Sequence, residues 1–203
     1  MIKDLEQYGI EFVDQPVLMF NLDALVRVKE AVSVPIAAHE SGWTMYEVLN
    51  VIKRNAADVI HIDPRFDLGF TGARISAGFA EAAGIPVVAH SFGEVGVAFA
   101  AILHLVAATP NFTLANQEDG YRLLTNDIIK GGPLPFRGNR VTVPSGPGLG
   151  VDLDPDLFAQ YAHVYEREVR YVHSGPGLHT ATYSAMYLRS YLKPLHRSRE
   201  DNR

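Results

Sequence analysis

Apolar and polar positions along the chain follow two rhythms. Short, β-branched apolar runs occur at "GIEFV" (9–13), "VPIAA" (34–38), "DVIHI" (58–62), "GIPVVA" (84–89) and "NFTLA" (111–115). Each is of strand length, and the first four end at a charged or titratable residue. Between the runs, apolar residues recur at helical spacing: Leu22, Leu25, Val26, Val28 and Val32, then Val48, Leu49, Ile52 and Ala56, then Ile75, Phe79, Ala82 and Ala83. The stretch from Val97 to Ala108 is almost wholly apolar and reads as a buried helix. Strand and helix alternate regularly, which predicts an α/β fold of about five βα units on a parallel sheet.

The polar residues that close the runs are Asp14, His39 with Glu40, Asp63, His90 and Asn116. Positions 14, 39, 63, 90 and 116 lie 25, 24, 27 and 26 residues apart, the length of one βα unit each time. Carboxyl ends of successive parallel strands share one rim, where barrels and open α/β sheets bind ligands. A single polar strand end needs nothing but water; a titratable series in register points to a site. His61 lies on the strand face of Asp63 but one layer deeper, and reads as a packed core residue. His104, inside the apolar helix, reads as structural.

After Asn116 the rhythm stops. Turn signals at Gly131-Gly132-Pro133, Gly138-Asn139 and Pro147-Gly148 replace it, with "RVTV" (140–143) as one short strand. "SGPGL" occurs at 145–149 and again at 174–178, too few copies for a repeat architecture. Six of the nine Tyr and seven Lys/Arg against four Asp/Glu fall from Gln160 onward. That shift marks residues 159–203 as an appended tail, helical or partly mobile, behind a domain at 1–158.

Bulk composition narrows the classes without choosing one. A net charge of −5 argues against a nucleic-acid partner, which a basic face would serve better. No apolar run reaches the roughly 20 residues of a membrane span, and the amino terminus lacks the apolar core of a signal peptide. With no Cys there are no disulfides or thiolate sites, so the cytoplasm is the expected compartment. "GEVGV" (93–97) lacks the Gly spacing and Lys of a phosphate loop.

Four motifs carry a family resemblance: "FVDQP", "PIAAHES", "DVIHIDPRFDLGFTGARISAGFAEAAGIPVVAHSFGE" and "VTVPSGPGLGVDLD". Together they resemble the barrel domain of the enolase superfamily, in the mandelate racemase/muconate lactonizing enzyme family and most nearly its acid-sugar dehydratases. The likeness covers residues 1 to about 158 and implies the carboxyl-terminal portion of a TIM-like (β/α)7β barrel. Members also carry a capping domain, three earlier strands and a Lys-x-Lys pair. None of the five Lys here (3, 29, 53, 130, 193) lies at a strand end, so the chain is expected to be an incomplete barrel. Five strands leave a sheet edge open, which implies self-association or docking onto a separate amino-terminal half.

The resemblance also implies a chemistry, abstraction of a proton α to a carboxylate, with Mg²⁺ as cofactor. The metal candidates are Asp14, Glu40 and His39. Asp14 is one methylene shorter than the usual Glu, and with His39 first in its pair a hard ion should prefer Glu40. A third oxygen ligand is missing, so the chain is not expected to hold Mg²⁺ tightly alone. His90 and Asp63 match the catalytic dyad, with the carboxylate hydrogen-bonded to the imidazole to fix its tautomer. Asn116 stands where racemases carry a Glu acid, and an amide can donate only a hydrogen bond. One visible base suits dehydration of a sugar acid better than racemisation. Racemase, epimerase or cycloisomerase chemistry and a non-catalytic assembly remnant stay open beside it.

Overall fold

The computed structural model describes residues 1–90, 94–117 and 119–162. The chain divides into two compact units, Met1–Asp154 and Pro155–Arg203. In the second unit residues 155–162 are helical; the rest of the expected tail lies outside the described residues.

The first unit opens with α1 (Ile2–Leu5) and continues through β1 (Val13–Asp14), α2 (Leu22–Ala31), β2 (Ile36–Ala38), α3 (Met45–Lys53) and β3 (Val59–Ile62). It then runs through α4 (Gly69–Ala82), β4 (Val87–Ala89), α5 (Gly96–Ala107) and α6 (Asp119–Arg122). The four strands are parallel and lie in chain order. Among the described residues no helix is long and apolar enough to cross a membrane.

Local chemistry sets the helix ends. Asn21 Oδ1 accepts the Ala24 N–H at 2.9 Å to start α2. Thr44 and Glu47 cap α3 reciprocally, Glu47 Oε2 accepting the Thr44 N–H at 3.0 Å. α4 ends where Gly84 takes φ +73°. The Gly84 N–H reaches Glu81 O and the Ile85 N–H reaches Ala80 O, the paired bonds of a Schellman stop.

The side chains of the strands sort by parity. Ile36, Ala38, Ile60, Ile62 and Val87 join α-helical residues such as Leu25, Val48, Val51, Ala73, Ala77 and Leu105 in the main core. Ala37, Val59 and Val88 face the other way, against Phe12 and Leu114. Asp14, His39, His61, Asp63 and His90 fall on this second parity, at or beyond the ends of the strands.

The helices form as the apolar spacing predicts, but α4 turns a different face inward. Ile75 and Phe79 are 40% and 38% exposed, while Gly72, Ala73, Ser76, Ala77 and Ala80 are buried. The reason is close approach: a Cβ on Gly72 would lie 1.6 Å from the backbone oxygen of Asp67. Small residues let α4 sit against the turn that follows β3.

Two sequence expectations are corrected. "NFTLA" forms no ladder strand, so four parallel strands replace the expected five or so. The run still lies beside β4, through Val87 N–H to Asn111 O and Gln117 N–H to Ala89 O. Between these bonds the Asn116 side chain, not its backbone, accepts the Ala89 N–H at 2.8 Å, which interrupts regular pairing. "RVTV" is not a strand either; its Arg140 makes an isolated bridge to Arg137 around the Gly138-Asn139 turn.

Beyond α5 the irregular segment is held by one buried polar knot. Asp127 Oδ1 accepts the Gly96 N–H at 2.9 Å, and Tyr121 Oη donates to Asp127 Oδ2 at 2.7 Å. Tyr121 Oη also accepts the Leu134 N–H at 2.7 Å, while its ring stacks on Phe99 at 3.9 Å. His104 Nε2 lies 3.1 Å from Leu149 O, tying the last loop to α5. Removing the hydroxyl takes the hydrogen-bond partner from Asp127 Oδ2 and from the Leu134 N–H. Tyr121→Phe is therefore expected to cost about 2 kcal/mol, read as a lower denaturant midpoint at unchanged slope.

Candidate functional site

The ends of β1 and β2 are locked by a glutamine. Gln15, at φ 37°, turns its amide across the sheet: Oε1 accepts the N–H groups of His39 (2.9 Å) and Ser41 (3.2 Å). Its Nε2 donates to Ser41 Oγ (2.9 Å) and Val17 O (3.1 Å), and Ser41 Oγ donates on to Met19 O (2.8 Å). A non-glycine residue at positive φ is costly unless its surroundings hold it, and four bonds do so here. The clamp fixes where His39 and Asp14 point.

Three imidazoles meet above the small residues of the sheet. His39 stacks on His61 with centroids 4.5 Å apart and planes 20° from parallel, and meets His90 edge-on at 4.4 Å. His61 and His90 are 5.9 Å apart between centroids. Strand register explains the grouping. Ala38 is level with Ile60, so His39 is level with His61, and His61 is level with Val88, two residues before His90.

Asp14 serves two of the three rings. Its Oδ2 lies 3.1 Å from His39 Nδ1, and its Oδ1 lies 3.4 Å from His61 Nε2. Glu40 Oε2 is 3.8 Å from the same His39 nitrogen. The three proposed metal residues thus converge, but around an imidazole. Burial works against a charged His39, yet the hydrogen bond and charge of Asp14 outweigh it and raise the His39 pKa. Burial also works against an ionised Asp14; the His39 hydrogen bond and the surrounding imidazoles outweigh it and lower its pKa.

His61 and His90 move the other way. Burial, reinforced by repulsion from the other imidazoles, pushes His61 down to about 3. Burial and His39 push His90 down to about 4. Both rings are neutral near pH 7. Neither nitrogen of the buried His61 has a hydrogen-bond partner, nor does His90 Nδ1.

The expected hydrogen bond from the His90 imidazole to Asp63 is not formed. The Asp63 carboxylate accepts instead from Arg65, through its backbone N–H (2.9 Å), its Nε (2.9 and 3.0 Å) and a terminal guanidinium nitrogen. Arg65 also ion-pairs with the buried Glu94. The physical reason is locality. Pro64 starts a turn in which Phe66 and Asp67 donate to Asp63 O, bringing Arg65 back over the carboxylate before any neighbouring strand can compete. Asp63 still favours protonation of His90 through space, and Arg65 opposes it. Asn116 comes near the same strand end, its amide oxygen spent on Ala89.

The pH dependence of stability follows from the two depressed histidines. A folded pKa below the ordinary 6.5 gives stability that is complete above pH 6.5 and lost as pH falls toward about 4 and about 3. Each such group contributes a slope of about 1.4 kcal/mol per pH unit where only the unfolded chain is protonated. Urea denaturation in the presence of a chelator is expected to show falling stability from pH 6.5 to 4.5. His61→Asn should flatten that fall by about 1 kcal/mol per pH unit; an unchanged slope would remove His61 from the account.

Comparison with known proteins identifies the family of the chain. Residues 1–157 match the family described as enolase C-terminal domain-like. Muconate cycloisomerase 1 of Rhodococcus opacus is 32% identical over 75% of this chain and 40% of its own length. Arabinonate dehydratase of Saccharolobus solfataricus is 26% identical over 79% of this chain and 42% of its own. The solved muconate lactonizing enzyme of Pseudomonas putida superposes with a TM-score of 0.74 at 26% identity, covering 78% of this chain and 44% of that one. The chain spans about two-fifths of the length of these relatives. Its parallel α/β sheet is that of the carboxyl-terminal part of their barrels, and the chain belongs to the enolase superfamily, in the mandelate racemase/muconate lactonizing enzyme family.

Proposed function

We propose that this chain supplies the proton-transfer rim of an enzyme that abstracts a proton α to a carboxylate, and that the complete reaction is dehydration of a sugar acid. The observation that carries the reading is His90: a neutral imidazole at a strand end, with a buried nitrogen that no protein group uses. A neutral imidazole can take a proton, and enolate chemistry in this superfamily uses such a base. Asp63, held by Arg65, supplies a negative charge that steadies the imidazolium formed. Asn116 Nδ2 is the group left to donate a hydrogen bond to a substrate carboxylate. Arabinonate dehydratase among the relatives supports dehydration, and the cycloisomerase relatives support cycloisomerisation as the second reading.

Superfamily sites work with one or two Mg²⁺ ions, which stabilise the enediolate. Mg²⁺ wants hard oxygen ligands in a near-octahedral array. Here Asp14 is engaged by His39, Glu40 approaches the same ring, and three imidazoles crowd the position. That donor set does not fit a hard ion, and His90 is given its role without one.

The edge of the sheet at β1 supports a second element beside it, either an amino-terminal barrel half or another copy of the chain. The test is exchange of the substrate α-hydrogen with D₂O, followed by NMR on a panel of polyhydroxy acids. The chain is assayed alone and complemented with an amino-terminal barrel half. Exchange and loss of water support the proposal; ring closure of an added unsaturated diacid, with uptake of solvent deuterium at the product α-carbon, favours the second reading. No exchange with any acid in the complemented protein overturns both.

A further inference from the structure

The histidine cluster has a composition that proton transfer does not explain. One base needs one imidazole, yet three converge, and the deepest makes no hydrogen bond. We propose that His39, His61 and His90 form a binding site for a borderline divalent transition-metal ion of the zinc or cobalt class.

Three observations carry the proposal. One ring nitrogen from each histidine lies within 4.8 Å of the other two. A tetrahedral ion with metal–nitrogen bonds of about 2.0–2.1 Å needs its ligands about 3.3 Å apart, so the rings close by about 1.5 Å at most. His61 is 1% exposed, and both its nitrogens lack a hydrogen-bond partner. A buried polar group left unsatisfied is costly, and an ion in the cluster would engage one of the two His61 nitrogens. Asp14 lies beside two of the rings, 3.1 Å from His39 Nδ1 and 3.4 Å from His61 Nε2. A carboxylate that orients the ring of a ligating histidine is the usual support for such a metal.

The donor chemistry selects the ion. Imidazole nitrogen suits zinc, nickel, copper and iron, whereas carboxylate and water suit magnesium and calcium. Three imidazoles leave the fourth tetrahedral position open, as in metal sites that bind water or substrate. The proposal does not rest on the proton-transfer reading, and the two compete for His90: an ion on its nitrogen withholds that nitrogen from a substrate proton.

The experiment titrates Co²⁺ into the metal-free chain without substrate and reads the visible d–d bands and the shifted imidazole proton resonances. The expected result is one ion per chain, a spectrum typical of four-coordination and three shifted imidazole rings. Millimolar Mg²⁺ should fail to displace the cobalt. His39→Asn and His90→Asn should each weaken binding at least about 100-fold. Asp14→Asn should weaken it about 10- to 100-fold, the range for a group behind a ligand. Far-ultraviolet circular dichroism verifies that the variants fold, and His61→Asn is set aside if it does not. Binding that stays within about twofold in both His39→Asn and His90→Asn overturns the proposal. So does displacement by millimolar Mg²⁺, or the absence of 1:1 binding. Because the readout is spectroscopic, a failed exchange assay leaves this result intact.

Discussion

Arg65→Met is expected to destabilise the protein by about 3 kcal/mol and to raise the pKa of His90. The side chains of Asp63 and Glu94 are 2% and 3% exposed, and Arg65 binds both. Breaking a buried ion pair from one side costs about 3–5 kcal/mol, because the remaining charge stays out of water. Arg65 is itself a third exposed, so the lower end applies. A triple-variant comparison isolates the cause. Adding Asp63→Asn and Glu94→Gln to Arg65→Met should recover much of the loss, since no uncompensated charge remains. If the triple variant is no better than Arg65→Met, packing rather than charge explains the cost. The second effect is electrostatic: Arg65 opposes protonation of His90 and Asp63 favours it. Without the guanidinium, His90 should titrate above its value of about 4 by NMR.

The legible and illegible parts of the fold divide along one physical line. Four of the five apolar runs hold strands; β2, β3 and β4 are buried on both faces, which needs a continuous apolar segment, and that composition is local. The polar strand ends fall on one rim because the βα repeat keeps register from unit to unit. The face of α4 was not legible, because Gly72 and Ala73 point inward for the sake of backbone approach, which hydrophobic spacing does not encode. "NFTLA" has a strand's composition but loses its ladder to the Asn116 amide, a competition between side chain and backbone.

The site divides in the same way. Asp14, His39, Glu40, Asp63 and His90 were visible as strand ends, and the structure gathers Asp14, His39 and Glu40. The partner of Asp63 was misread because a contact two residues away in a proline turn preceded one across strands. His61 has the sequence setting of a core residue, and it is buried; its part in the cluster depends on being level with His39, which only register reveals. Gln15 belongs to "FVDQP", but its clamp on His39 and Ser41 needs its left-handed backbone. The useful signal in hindsight is histidines of one parity on three consecutive strands.

His90→Asn is expected to lower α-hydrogen exchange by about 10²- to 10⁴-fold, the usual contribution of a positioned general base. Asparagine keeps a polar side chain of similar reach but accepts no proton near neutral pH. The pH profile gives a sharper reading than the rate alone. In the proposed role His90 acts unprotonated, so the wild-type rate should be level near neutrality and fall as pH drops through about 4. In His90→Asn that acid limb should disappear along with the rate. Added imidazole should restore part of the exchange in the variant if the missing element is a base, whereas a packing defect would not respond. Asp63→Asn should show a smaller loss with the acid limb shifted downward, since the carboxylate favours the protonated ring through space. Exchange that persists undiminished in His90→Asn would move the base to another residue and leave the three imidazoles with metal binding as their shared chemistry.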